Sequence, residues 1–302
     1  MRPELKQIVE RTLSSSVVSG MVRHRIRGKR LILAYHGIVP EGAALAGERA
    51  LFVRQTEFSA HLELLADIAD VVPLDRIDEP GNGRPRVAIT FDDAYRGAVR
   101  EGVQELVSRS LPATIFVAPG RLDNHVFWWD ALSHGRVALD ETVRHHALHK
   151  LGGSDERVRA WAAELRLPSS DALPAYAQTA TREELREALS FPEITVGSHS
   201  WSHANLAFLS AAEVAAEVER PRDWLSAEFG EKAIPWLAYP YGLDSAVAHR
   251  AAIQASYRGG LRIGGGWHHT TDVSALARPR FNVASSLSLP GFGARIHGAM
   301  AR

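Results

Sequence analysis

Short, almost wholly apolar runs recur along the chain, and between them apolar positions fall at helical intervals. Residues 31–37, LILAYHG, read as a first buried strand, followed by a Gly- and Ala-rich loop to about residue 50. Phe58, Leu62 and Leu65 mark a helical stripe, a second strand lies around VVPL, and GNGRP reads as a turn before VAITFDD. Val99, Val103, Leu106 and Val107 mark the next helix, and ATIFVAPG the next strand. From about 121 to 180 the periodicity loosens through FWWDALSHG and LRLPSSDALPAYAQ, which reads as an insertion after the strand at 113–118. Regularity returns at Thr181, which with Glu184 makes a capping-box signature ahead of LREAL. The strand EITVGSHS follows, then a second capping box from Ser210 to Glu213 opening a long helix that Pro221 should kink or divide. IPWLAYP and a Gly-rich tail containing ARPRFNV complete the series.

Strand, helix and strand with short joints imply parallel strands joined by helical crossovers. About seven strands in this order predict an α/β fold, an eight-fold-like or incomplete parallel barrel spanning 31–302, with residues 1–30 as a separate basic helical segment. In such barrels chemistry collects at the C-terminal ends of the strands. Asp92, Asp93, His199, His203 and the PYG of 240–242 all fall at such ends.

Composition narrows the picture. Across 302 residues, 45% are hydrophobic, enough for one large core, and 35 Lys and Arg balance 35 Asp and Glu, so the charge advertises no nucleic-acid partner. The absence of Cys excludes disulfides, thiolate catalysis and Cys-ligated zinc, leaving any metal to His and carboxylate ligands. No stretch approaches the ~18 uninterrupted apolar residues of a membrane span. In the first 30 residues, Leu5, Ile8, Val9 and Leu13 at helical spacing precede a basic run, with eight positive and two negative side chains in all. That order is the reverse of a signal peptide and points to the cytoplasm. The segment reads as a helix packed on the body with a solvated basic end, or as a weak peripheral contact with an anionic membrane.

VAITFDD poses an electrostatic problem, because two adjacent carboxylates at the rim of a core repel unless something offsets them. In GSHSWSH, His199 and His203 are four apart, so a turn can aim both imidazoles at one point. The pair lacks the Glu of the helical zinc-protease motif. Two His and one carboxylate make an open metal site. One aspartate of the pair as third ligand would offset the charge and leave the other free as a general base toward water, whose pKa a metal lowers from about 15.7 toward about 7. Taken singly, the pieces have plainer readings: a helix N-cap for Asp-Asp, a packed pair for the His residues, core for Trp128, Trp129 and Trp201.

Together, TFDD, HSWSH and AYPYG, with YHGI before and ATIFV between, resemble the polysaccharide deacetylase family, carbohydrate esterases of the chitooligosaccharide deacetylase type, over roughly residues 31–283 outside the insertion. The resemblance implies a distorted, incomplete (β/α) barrel and hydrolysis of acetyl groups from N-acetylhexosamines in an oligosaccharide, polysaccharide or lipid-linked glycan. It implies one divalent ion, zinc by default, although such ligands also accept iron, manganese, cobalt or nickel. Asp92 would be the general base, Asp93, His199 and His203 the metal ligands, and the Tyr241 main-chain amide an oxyanion donor. Pro240, Tyr241 and Trp201 would face the substrate.

Departures from the family pattern are specific. The family commonly carries an Arg three residues before the Tyr of its PY element, tethering the catalytic aspartate; Ala238 stands there, and Arg280 in RPRF is the candidate replacement. The late Leu-x-His motif that supplies the general acid has no clean match: RIHG offers His297, GWHH offers His268 and His269, and His36 closes the first strand as a packing residue or a neighbour of the site. Ala94 replaces the usual Gly after TFDD, a change that a helix start tolerates. Two other readings stay open: deformylation or another amide hydrolysis on a different scaffold, and a non-catalytic glycan-binding module. The missing Arg and unassigned acid favour the binding module, and the intact Asp-Asp-His-His set opposes it.

Overall fold

The structure is a computed structural model that describes residues 25–133 and 139–298; the apolar stripe at 5–13 and the start of the basic run lie outside the described residues. Its strands are β1 (Arg30–Tyr35), β2 (Gly37–Val39), β3 (Phe52–Arg54), β4 (Asp70–Val71), β5 (Arg86–Phe91), β6 (Ala113–Val117), β7 (Ile194–Ser198), β8 (Ala233–Ala238), β9 (Gly259–Ile263) and β10 (Arg278–Asn282). The helices are α1 (Gln55–Ile68), α2 (Val103–Val107), α3 (Trp128–Leu132), α4 (Glu141–His149), α5 (Asp155–Glu164), α6 (Arg182–Leu189), α7 (Ala211–Phe229), α8 (Ala246–Gln254) and α9 (Leu289–Ile296). Among the described residues, no helix is long and apolar enough to cross a membrane.

Strands β5 to β10 and β1 form a parallel ring, closed where β1 pairs with both β10 and β5. Every residue of β5, RVAITF, is buried, as expected for a parallel strand covered on both faces. Alternation divides it between two cores. Val87, Ile89 and Phe91 pack outward with Phe58, Leu62 and Leu65 of α1. Ala88 faces the lumen with Ile32, Phe116 and Trp236.

Seven staves match the expected number, with one exchange of identity. VVPL supplies only Val71 to the two-residue β4, which pairs with Arg86 and Val87 where β6 pairs only with Ile89 to Phe91, so it patches a seam rather than completing the ring. The seventh stave is β9, GGLRI, which the Gly-rich tail concealed. Its first glycine answers a packing demand: a Cβ on Gly259 would lie 2.3 Å from the Trp236 ring.

Both expected capping boxes form, at Thr181 with Glu184 and at Ser210 with Glu213. Pro221 does not divide α7, which runs on to Phe229. The carbonyl that its missing N–H leaves open, that of Glu217, accepts instead from Trp201 N at 2.9 Å. The insertion is helical, with α4 capped by Asp140 and α5 by Ser154. Phe127, Trp128, Leu132 and Val158 form its core, which continues into Phe52 and Tyr95 of the barrel.

Candidate active site

Strand register assembles one mouth of the ring. Tyr35 pairs with Phe91, so His36 and Asp92 leave adjacent strands side by side. Val117 pairs with Ser198, which sets His199 further round the rim, and Ala34 pairs with Asn282 at the end of β10.

The chain turns sharply on leaving these strands. Asp93 (φ 68), Ala94 (φ 50), Ser200 (φ 61), His203 (φ 60) and Tyr241 (φ 60) are all left-handed without being glycine. Each such residue costs on the order of 1 kcal/mol or more and persists only where its surroundings over-determine it, commonly at functional sites. Ala94 is therefore not a helix start, contrary to the expectation; its carbonyl accepts from Ala180 N at 2.9 Å, and helix begins at Arg96 and runs into the π-helical turn Ala98–Gly102.

Asp93, His199 and His203 converge, with ligand atoms all within 4.8 Å of one another and all three residues buried. Asp93 Oδ1 lies 3.1 Å from His203 Nε2 and 3.6 Å from His199 Nε2. His199 Nδ1 donates to the Ala238 carbonyl at 2.7 Å, which sets the tautomer and leaves the Nε2 lone pair toward Asp93. Burial lowers the pKa of both imidazoles, that of His203 to about 4, so both are neutral at pH 7 as ligands must be. Burial raises the Asp93 pKa, and its Oδ1 accepts no hydrogen bond. A buried acceptor left this way is costly. The three groups fit a divalent metal in a two-His, one-carboxylate set.

The loop carrying His203 is fastened to α7. The Glu217 carboxylate accepts from Ser202 N at 2.8 Å, Ser202 Oγ at 2.7 Å and Trp201 N at 3.0 Å. Ser200 Oγ accepts from His203 N at 3.0 Å. The carbonyl exposed by Pro221 thus belongs to the residue whose side chain already grips the loop.

Asp92 has a different environment. Arg280, fully buried in β10, donates Nη1 to Oδ1 at 2.7 Å and Nη2 to Oδ2 at 2.6 Å, and also reaches Thr90 Oγ1 at 3.1 Å. Burial would raise the Asp92 carboxyl, but the Arg280 charge, with His199 and His36, carries it well below the usual carboxylate range. Two adjacent aspartates are thus separated by their surroundings: one is neutralised by an arginine, the other is open to a cation. Ala238 has no side chain to do this, yet its carbonyl orients His199.

The remaining sequence candidates divide. His36 Nε2 is 4.0 Å from Asp92 Oδ2 and its Nδ1 has no partner. Pro240 is buried beneath the rim, and the Tyr241 hydroxyl donates to Gly153 O at 3.0 Å while accepting from Trp128 Nε1 at 3.2 Å, so that ring is an anchor for the insertion. Trp201 does not line the cavity; the Arg220 guanidinium lies 3.5 Å over its ring. His268 exchanges backbone bonds of 2.8 and 3.0 Å with Arg30 at the start of β1, so it and the exposed His269 sit at the opposite end of the barrel, about 20 Å away along a six-residue strand. His297 follows α9, whose Phe292 stacks on His61 outside the ring, and it does not line the cavity either.

A cavity of about 320 Å³ opens over the metal set. His36 and Asn282 line its barrel side, and Trp129, Arg144 and Leu148 of the insertion face them. Asn282, Arg144 and Leu148 were not anticipated. Asn282 ends β10, whose sequence RPRFN has no apolar run to mark its end, and its buried Oδ1 has no partner; the two insertion residues lie in a stretch without apolar periodicity. A second groove, of about 450 Å³ between α2 and α6, holds no ligating set among the described residues.

Residues 80–260 match the family model described as polysaccharide deacetylase. No curated protein sequence matches the chain. Among solved structures, the deacetylase PplD of Streptococcus pyogenes in complex with acetate is similar at 17% identity and a TM-score of 0.62, covering 89% of this chain and 99% of its own. IcaB from Ammonifex degensii is similar at 17% identity and a TM-score of 0.59, covering 89% and 97%. A de-N-acetylase from Aggregatibacter actinomycetemcomitans is similar at 15% identity and a TM-score of 0.59, covering 87% and 98%. At these identities the likeness is one of fold.

Proposed function

Because the chain belongs to the polysaccharide deacetylase family, we propose that it removes N-acetyl groups from an N-acetylhexosamine in an oligosaccharide, polysaccharide or lipid-linked glycan. The observation that carries this reading is the pairing of a buried Asp93-His199-His203 set with an Asp92 held ionised by Arg280. PplD, seen with acetate, holds what such a reaction would release.

A divalent ion on Asp93, His199 and His203, zinc being the default for non-redox hydrolysis, would act as a Lewis acid on water and on the acyl carbonyl. Asp92 would take the proton from the attacking water, its carboxylate aimed by the two Arg280 bonds. The Tyr241 amide would donate to the oxyanion developing on the acyl carbon. His36 is our choice for the acid that protonates the departing amine, because it lines the cavity, lies near Asp92 and has an unpartnered Nδ1. Burial lowers its pKa, against the raising charges of Asp92 and Asp93, so His36 starts neutral and would receive from Asp92, 4.0 Å away, the proton taken from water, before passing it to the amine. The C–N bond then breaks to acetate and a free amine. Ala238 does not argue for a non-catalytic barrel, because Arg280 supplies the counter-charge.

The test is acetate release from N-acetylated chito-oligosaccharides, with metal content measured on the same protein. Near one metal per chain with acetate released supports the reading. Bound metal with no acetate from any acetylated sugar, but formate from a formylated amino sugar, would replace it with a deformylase.

A further inference from the structure

The insertion side of the cavity carries a single cation. Of the described residues that line it, Arg144 is the sole Arg or Lys, and its side chain is 38% exposed. One nitrogen is fixed: Nη2 donates to Glu48 Oε2 at 2.9 Å. Glu48 is 2% exposed, and the same oxygen accepts from Leu139 N at 3.1 Å. Behind it, Glu48 N donates to Asp130 Oδ1 at 2.8 Å, and Asp130 Oδ2 accepts from the Tyr95 hydroxyl at 2.5 Å. Tyr95 in turn accepts from Trp129 Nε1 at 3.0 Å. The chain of contacts begins on one cavity-lining residue, Trp129, and ends on another, Arg144.

Two buried carboxylates are a costly way to join an insertion to a barrel; apolar packing of the same volume does so with less penalty. What the arrangement adds is orientation of a guanidinium. Glu48 occupies one nitrogen and leaves the rest of the planar fork, which matches phosphate and carboxylate oxygens. Because Glu48 also offsets the Arg144 charge, recognition rests on the donors of that fork rather than on a long-range field.

We propose that Arg144 binds an anionic group, phosphate or carboxylate, carried by the substrate beside its acylated amino sugar. This rests on the deacetylase reading and narrows it to charged acyl-amino sugars. The cavity is at the small end of ligand pockets, which places the charge on the acylated sugar itself or its immediate neighbour. A phosphate on the anomeric oxygen and a uronate carboxylate share this chemistry.

Binding and turnover test it separately on zinc-loaded protein. Calorimetry compares N-acetylglucosamine, its 1-phosphate, and 2-acetamido-2-deoxyglucuronate. One anionic sugar should bind about 10- to 100-fold more tightly than the neutral one, Arg144→Gln should remove that preference, and Arg144→Lys should keep part of it. Whichever anion shows the preference identifies its source. Equal binding of all three sugars overturns the proposal, as does a phosphate preference that survives Arg144→Gln, since that would be phosphate on zinc. Acetate release from the same sugars isolates the premise. A preference without acetate defeats the deacetylase reading and leaves Arg144 assigned; acetate from all three at one rate, with the ratio unmoved in the Arg144 variants, does the reverse. Should Arg144→Gln fail to fold, Arg144→Lys decides, because a purely structural bridge to Glu48 would be kept by lysine with no change in preference.

Discussion

The two mouths of the barrel bury charge in opposite ways. At the N-terminal mouth, Arg278 forms two bonds with Asp78 at 2.8 and 2.7 Å, Arg30 donates to the carbonyls of Gly28 and Glu79, and Arg86 to those of Glu79 and Pro80. Only the Nε atoms of these guanidiniums lack partners. Its left-handed residues include Gly28 and Gly83, bonded to each other at 3.1 Å, and Ser110 and Ser256 in the loops that lead into β6 and β9. At the C-terminal mouth the left-handed residues include Asp93, Ala94, Ser200, His203 and Tyr241 besides Gly242 and Gly264, and Asp93, His36, His203 and Asn282 keep buried atoms without partners. One end leaves guanidinium Nε atoms and His268 Nε2 unmet beside its ion pair and carbonyl contacts. The other holds strain and unmet valences at the place where a metal and a substrate would meet them.

Substitutions can break that contrast, and the largest effect belongs to the metal set. His203→Ala should lose both metal and activity, the latter by more than the 10- to 100-fold typical of outer-sphere partners; metal content unchanged from the wild type would remove His203 from the ligands. Asp92→Asn should reduce kcat by about 10²- to 10⁴-fold with metal retained, and a fully active variant would refute its role as base.

Arg280→Met leaves the Asp92 charge buried and uncompensated, a loss of about 3–5 kcal/mol by chemical denaturation. It also moves a pH profile in a definite direction. In the wild type the depressed carboxyl adds stability that is present above the unfolded value of about 3.9 and is lost as pH falls toward its folded value. Without Arg280, burial dominates and the pKa rises, so the acid limb of kcat/KM should shift to higher pH. An unmoved limb would mean that Arg280 does not tune the base.

Smaller effects sharpen the comparison. Pro221→Ala restores an N–H that competes with Trp201 for the Glu217 carbonyl, so metal affinity should fall about tenfold while the helix itself gains stability. Metal titration and thermal melting moving in the same direction would contradict this. At the other mouth, Gly28→Ala meets no atom within 4 Å and should cost only about 1–2 kcal/mol for its left-handed backbone, with metal content and turnover as in the wild type.

Sequence legibility followed the same divide. Asp92, Asp93 and His199 were readable because they come straight after apolar strands, and His203 because it stands four residues after His199, so local pattern fixes their end of the barrel. Strand β9 was hidden because Gly259 and Gly260 are dictated by neighbours, Trp236 and Tyr239, that local pattern does not reveal. The insertion helices were hidden for another reason: α4 buries only Ala147 and α5 only Asp155, Val158 and Ala162, too narrow a stripe to register as periodic. Arg144 depends on Glu48, 96 positions earlier, and no local signal connects them. The left-handed Ala94 was misread as helical because a small helix former says nothing of its own φ.

The position of Arg280 bears on how the molecule comes into being. The counter-charge for Asp92 is supplied 188 residues downstream, beyond the 80–260 stretch that matches the family, and on the strand whose docking against β1 closes the ring. A chain still on the ribosome can complete β5 to β8 and yet must keep Asp92 hydrated, because no guanidinium is there to accompany it into the interior. Ring closure and neutralisation are therefore one event, and a nascent chain cannot seal its interior before its last stave has been made.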